Sequence, residues 1–208
     1  MQLKILYDDC LEILTGYEKN LLPIPSTGFS SVNAVLIFMQ KNAHQLGIRY
    51  QFMLTDSLSA IIPSVISEKD FSHLLSDLLD NAIIATKDSP SGTIQIHMGY
   101  FDSIYTLKIF NTGQPFAINV LQNLGINRHT THHSSGGSGI GMMDLWQLKQ
   151  KYLFTLLIDE TTESGSQVPS TTINILFHKK NHFIIQTDRY KELVTSVNRL
   201  DLLILSKE

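Results

Sequence analysis

The chain has 208 residues, 43% of them apolar and 17% charged, enough to bury one good core with a small appendage. A formal net charge of −3 and a pI near 6.2, with Lys and Arg scattered rather than striped, argue against nucleic acid as a partner. One cysteine, Cys10, excludes an internal disulfide framework and a cysteine-rich zinc site and fits a reducing compartment, and no apolar stretch reaches the ~20 residues of a membrane helix, so a soluble chain is expected.

Residues 3 to 20 carry a roughly helical apolar stripe that Pro23, Pro25 and Gly28 interrupt, which sets a boundary near residue 24. Apolar spacing from Val32 to Leu46 predicts a helix over 30–45, with Gly47 where a C-terminal cap belongs, and Arg49 to Thr55 alternates as a strand. The strongest helical pattern covers 67–87, with Ser67 as N-cap and Phe71, Leu74, Leu75, Leu78, Leu79, Ala82 and Ile83 on one face. Thr93 to Gly99 and Ile104 to Phe110 read as a hairpin turning at Asp102 and Ser103. A loop rich in Gly, Asn, His and Ser then leads to a helix over 140–151 and strands at 153–159 and 172–178. The remainder reads as a strand, a short helix around Lys191 to Asn198 and an apolar strand at Leu202 to Leu205, serving as an added edge or a docking surface. Runs of mostly antiparallel strands with helices gathered on one face define an α+β two-layer sandwich.

The chemistry begins on the predicted helix at 67–87. Asp77 and Asn81 lie one turn apart, about 6 Å along the axis, so both can face one ligand; a carboxylate and a carboxamide oxygen suit magnesium beside phosphate oxygens. The same spacing also describes the wet face of an amphipathic helix. Ser134-Ser135-Gly136-Gly137-Ser138-Gly139-Ile140-Gly141 opens into a helix, where converging N–H groups and the helix N-terminus favour a phosphate, although a plain flexible loop has the same composition. No strand leads into these glycines as a dinucleotide fingerprint requires, and no Gly-Lys-Ser/Thr follows them as in a P-loop. Asn111-Thr112-Gly113 ends the strand between the two.

In this order the three segments resemble the GHKL nucleotide-binding fold, and His129 to Gly141 followed by Phe177 to Tyr190 resemble the ATP-binding domain of bacterial sensor histidine kinases of the peptide-pheromone type. The resemblance implies ATP and Mg2+ as cofactors. Asn81 matches the magnesium-binding asparagine, and Asp77 stands one turn before it as catalytic base or water-mediated ligand. Asn111 replaces the aspartate that accepts from the adenine amino group, Gly113 matches the turn glycine, and Pro115 stands where many relatives have a second glycine. Gly137, Gly139 and Gly141, with Ser138 and Ile140 between them, match the lid, and either Thr171 or Thr172 matches the hydroxyl behind the adenine. Lys87 and Arg128 are candidates for the phosphates, with a plain surface charge as the alternative. His129, His132 and His133 lack a fourth ligand for zinc and read as a solvated lid, while Met142, Met143 and Trp146 read as core.

The implied organisation is 1–24 as the end of a helical dimerisation hairpin with its linker, 25–186 as the ATP-binding catalytic domain and 187–208 as a C-terminal tail. The implied activity is transfer of the ATP γ-phosphoryl group to a histidine. The family's acceptor histidine is commonly followed by an acidic residue, and none of the eight histidines here precedes Asp or Glu, so the acceptor is expected on a separate dimerisation helix domain. A response regulator, a homodimeric full-length kinase and a cytoplasmic location, with a membrane anchor outside this chain, belong to the same expectation. Two other readings stay open: an ATPase whose Asp77 activates water, and a docking module with vestigial nucleotide binding.

Overall fold

The structure, a computed structural model, describes residues 23–89, 91–125, 140–162, 168–197 and 199–207. The expectations for Cys10, the stripe at 3–20, Arg128, Gly137 to Gly139 and the histidines at 129, 132 and 133 lie outside these residues.

Helix α1 (Ser30–Gln45) ends where Gly47, at φ +70°, lets its own N–H reach the His44 carbonyl and the Ile48 N–H reach that of Ala43. Strand β1 (Arg49–Leu54) follows directly. Helix α2 (Glu68–Thr86) is capped by the Ser67 hydroxyl, which accepts from the Asp70 N–H at 3.1 Å, while Glu68 and Asp70 place negative charge in its first turn. Its apolar stripe of Phe71, Leu74, Leu75, Leu78, Leu79, Ala82 and Ile83 is buried, each large side chain contributing about 1.5–3 kcal/mol.

Strands β2 (Thr93–Phe101) and β3 (Ile104–Thr112) form the predicted hairpin, and both turn residues, Asp102 and Ser103, have positive φ, the geometry whose twist matches the strands it joins. After the short α3 (Ile118–Asn123) and α4 (Ile140–Tyr152) come β4 (Thr155–Thr161), β5 (Ser170–Leu176), β6 (Phe183–Thr187), α5 (Tyr190–Ser196) and β7 (Leu202–Ser206).

The seven strands among the described residues join one sheet in the order β1-β2-β3-β5-β4-β6-β7. The centre is antiparallel, β2 with β3, β3 with β5 and β5 with β4, whereas β1/β2, β4/β6 and β6/β7 are parallel. The parallel pairs β1/β2 and β6/β7 are each joined through a helix, α2 and α5, as a crossover between parallel neighbours requires. One face of the sheet carries Ile96, Leu107, Ile109, Ile173, Ile175, Leu156, Ile158 and Ile185 into the core under the helices. Leu193 and Val197 are buried in that same core, and β7 extends the sheet as its edge.

Candidate functional site

Three positions along α2 define a line. Asp77, Asn81 and Ala85 follow one another at helical turns, spanning about 12 Å along the axis. At the Ala85 end stands Gly113, with φ +127°, so close that a Cβ built on it would lie 2.0 Å from the Ala85 carbonyl oxygen. Thr86 fastens the same corner by donating its hydroxyl to the Thr112 carbonyl at 2.7 Å, and the Gly113 N–H donates to the Pro169 carbonyl at 2.8 Å. No side chain fits at 113, which is why a glycine ends β3. Lys87 lies just past this end of α2 and is exposed, at the opposite end of the line from Asp77.

Beside Gly113 the sheet presents a polar row on its helix-facing side. The register pairs Asn111 with Thr171, Thr171 with Glu160 and Glu160 with Thr187, and all four are buried. Thr172 pairs with Phe110 and points to the opposite face, so alternation alone separates the two threonines. The Asn111 amide donates to the Thr112 carbonyl at 3.1 Å. The Thr171 hydroxyl is buried and has no hydrogen-bond partner among the described residues, a condition that natural structures avoid unless something else meets the group. Glu160, fully buried, is paired with Arg189 through Nε–Oε1 at 2.7 Å and Nη2–Oε2 at 3.0 Å and accepts from Thr187 at 2.9 Å. Arg189 also donates to the Phe116 carbonyl, tying the loop after Gly113 to the last strands.

The other end of the line meets α4, which runs antiparallel to α2. Asp70 near the start of α2 binds Lys151 Nζ at 2.6 Å and the Tyr152 hydroxyl near the end of α4, and Asp77 faces Asp144 in its first half. His73 Nε2 lies 3.6 Å from an oxygen of each carboxylate, Asp77 and Asp144. Burial above all, and then the negative charges of Asp144 and Asp80, push the Asp77 carboxyl up to about 6, with His73 partly opposing them. Ile140 and Gly141 occupy the first turn of α4, so the glycine-rich segment enters the helix one turn before Asp144.

The structure thus brings Asp77, Asn81, Asn111, Gly113 and Thr171 around one flank of α2. The Thr171 hydroxyl is available to a group with hydrogen-bonding edges, and the carboxylate and carboxamide oxygens of Asp77 and Asn81 are of the kind that suits a dication with anionic oxygens. Four residues of this neighbourhood were not singled out from sequence. His73 is visible in retrospect at i−4 from Asp77, while Asp144, Glu160 and Arg189 are brought in by tertiary contacts that no local spacing announces.

No protein-family profile matches the chain, and no curated protein matches it. Solved structures do. The catalytic domain of histidine kinase ThkA, in a nucleotide-free form, is similar with TM-score 0.51 and 13% identity over 73% of this chain and 93% of that one. A mycobacterial sensor histidine kinase, MprB, is similar with TM-score 0.53 and 17% identity over 71% of this chain and 92% of that one. With its mixed seven-stranded sheet and helices on one face, the chain has the α+β fold of the catalytic domains of histidine kinases.

Proposed function

We propose that residues 25–186 form the ATP- and magnesium-binding catalytic domain of a sensor histidine kinase of the peptide-pheromone type. The observation that carries this reading is the line along α2, with Asp77 facing α4, Asn81 one turn on, and at its other end the Gly113 corner beside buried Asn111 and a Thr171 hydroxyl without a hydrogen-bond partner among the described residues. Thr171 and Asn111 hold the base, Asn81 the magnesium, and the glycines at 137, 139 and 141 with Ser138, Ile140 and Arg128 the phosphates. Bound magnesium-ATP supplies the γ-phosphoryl group, and the chain's own part is positioning and charge neutralisation. The acceptor is a histidine on a helical dimerisation domain, and a response regulator receives the group from it.

Titration of the full chain with a fluorescent ATP analogue tests the site. Affinity depends on magnesium in the unaltered chain, and Asn81→Ala lowers it roughly tenfold or more while removing that dependence, since one or two protein ligands are all that magnesium usually takes. Equal affinity in the variant rejects the magnesium assignment. Transfer is tested by adding an acceptor-helix fragment and assaying acid-labile phosphohistidine. One observation favours a second reading, an ATPase: a carboxyl raised to about 6 is poised to act as a base near neutral pH. Steady ATP hydrolysis abolished by Asp77→Asn, without phosphohistidine under any pairing, selects the ATPase.

A further inference from the structure

The meeting point of α2 and α4 gathers Asp77 with two groups that the nucleotide reading does not use, His73 and Asp144. His73 and Asp77 stand one turn apart on α2, Asp144 faces them from α4, and one ligand atom from each lies within 4.8 Å of the others. The two His73 separations of 3.6 Å are too long for hydrogen bonds. They are close to the spacing of two ligands on one ion, because arms of about 2.0–2.2 Å at a tetrahedral angle put donor atoms about 3.4 Å apart. The Asp77 Oδ2 atom is itself buried and has no hydrogen-bond donor among the described residues, so an oxygen that natural structures normally satisfy points into this cluster unmet. Asp144 and Asp80 add negative charge around it.

We propose that His73, Asp77 and Asp144 bind a single zinc-class dication that bridges α2 and α4. One imidazole nitrogen with two carboxylate oxygens is a donor set for zinc or cobalt, whereas magnesium prefers oxygen alone, so this site is chemically distinct from the magnesium assigned to Asn81. Three protein ligands leave a fourth position open to water. The ion neutralises the facing carboxylates and pins α4, the helix into which the glycine-rich segment runs, onto α2. It also occupies the Asp77 oxygen, so zinc should inhibit ATP turnover; that consequence rests on the function proposed above, while the site itself does not.

The test uses zinc alone, on the chelator-treated, nucleotide-free full chain. Because His129, His132 and His133 are a second source of imidazole, the background carries His129→Asn, His132→Asn and His133→Asn. Calorimetry is expected to give one equivalent of zinc, and cobalt to give the visible bands of a low-coordinate nitrogen and oxygen site. Adding His73→Ala or Asp144→Asn weakens binding more than about tenfold. Zinc raises the melting temperature of the background and leaves that of the His73→Ala chain unmoved. Both side chains are partly exposed, 52% for His73 and 25% for Asp144, and circular dichroism checks that the variants fold. Unchanged affinity in both variants, or no zinc bound by the background, overturns the proposal. A chain that binds zinc through these residues and yet no ATP overturns only the nucleotide reading.

Discussion

The carboxyl of Asp77 is held where its charge is disfavoured, and the energetic consequence can be signed. Its native value is pushed up to about 6, while the unfolded chain releases the same proton near 4. Below pH 4 both states are protonated and the residue is neutral to stability. As pH rises from 4 to 6 the native state retains a proton that the unfolded state has lost, so stability falls, and above 6 the penalty is complete. At about 1.4 kcal/mol per unit it is on the order of 3 kcal/mol. Asp77→Asn, in chelator, is therefore expected to stabilise the chain by roughly 2–3 kcal/mol at pH 8 and by much less at pH 4.5, read as the difference between urea unfolding curves at the two pH values. A variant less stable than the parent at pH 8 would show that the surroundings of Asp77 favour its charge. The aspartate was legible in sequence from its spacing to Asn81, but its facing partner Asp144 was not, because the two lie on helices far apart along the chain that only the fold brings side by side.

At the scale of elements, the corner between α2 and β3 decides the geometry of the site. Gly113 combines a φ of +127° with a backbone contact from Ala85 that no Cβ can share. Gly113→Ala should cost on the order of 3–5 kcal/mol, from backbone strain together with forced separation of helix and strand. Gly47→Ala is the internal comparison: it too has a positive φ, +70°, but nothing lies within 4 Å of the added carbon, so about 1 kcal/mol is expected. Equal losses for the two in denaturant titration would remove the packing argument at 113. Elements were the most readable level of this chain. Ser67, Gly47 and the Asp102-Ser103 turn carried their own end signals, and the observed strands β4 and β5 are displaced from the expected 153–159 and 172–178 by about two residues because alternation fixes a face better than an end. The parallel outer pairs were less obvious than the hairpin, since a helix between strands announces its crossover only once the strands are known to be neighbours.

Across the whole molecule, the last quarter of the chain is tied into the site. Glu160 from β4 is buried without exposure, and the groups that meet it are Thr187 at the end of β6 and Arg189 just beyond, which also donates to the Phe116 carbonyl next to the Gly113 corner. The pair spans segments that sequence reading assigns to a domain and its tail. Arg189→Ala strands an unpaired carboxylate in the sheet interior and is expected to cost about 3–5 kcal/mol in urea unfolding, whereas Glu160→Gln with Arg189→Met, which removes both charges at similar volume, should recover much of it. Because the guanidinium also holds the loop leading from Gly113, Arg189→Ala should weaken ATP-analogue binding while leaving its magnesium dependence intact, which separates it from Asn81→Ala. A double variant no more stable than Arg189→Ala would mean that the lost packing of the long side chains, rather than the stranded charge, sets the cost, and that the C-terminal strands hold the site by shape instead of by this ion pair.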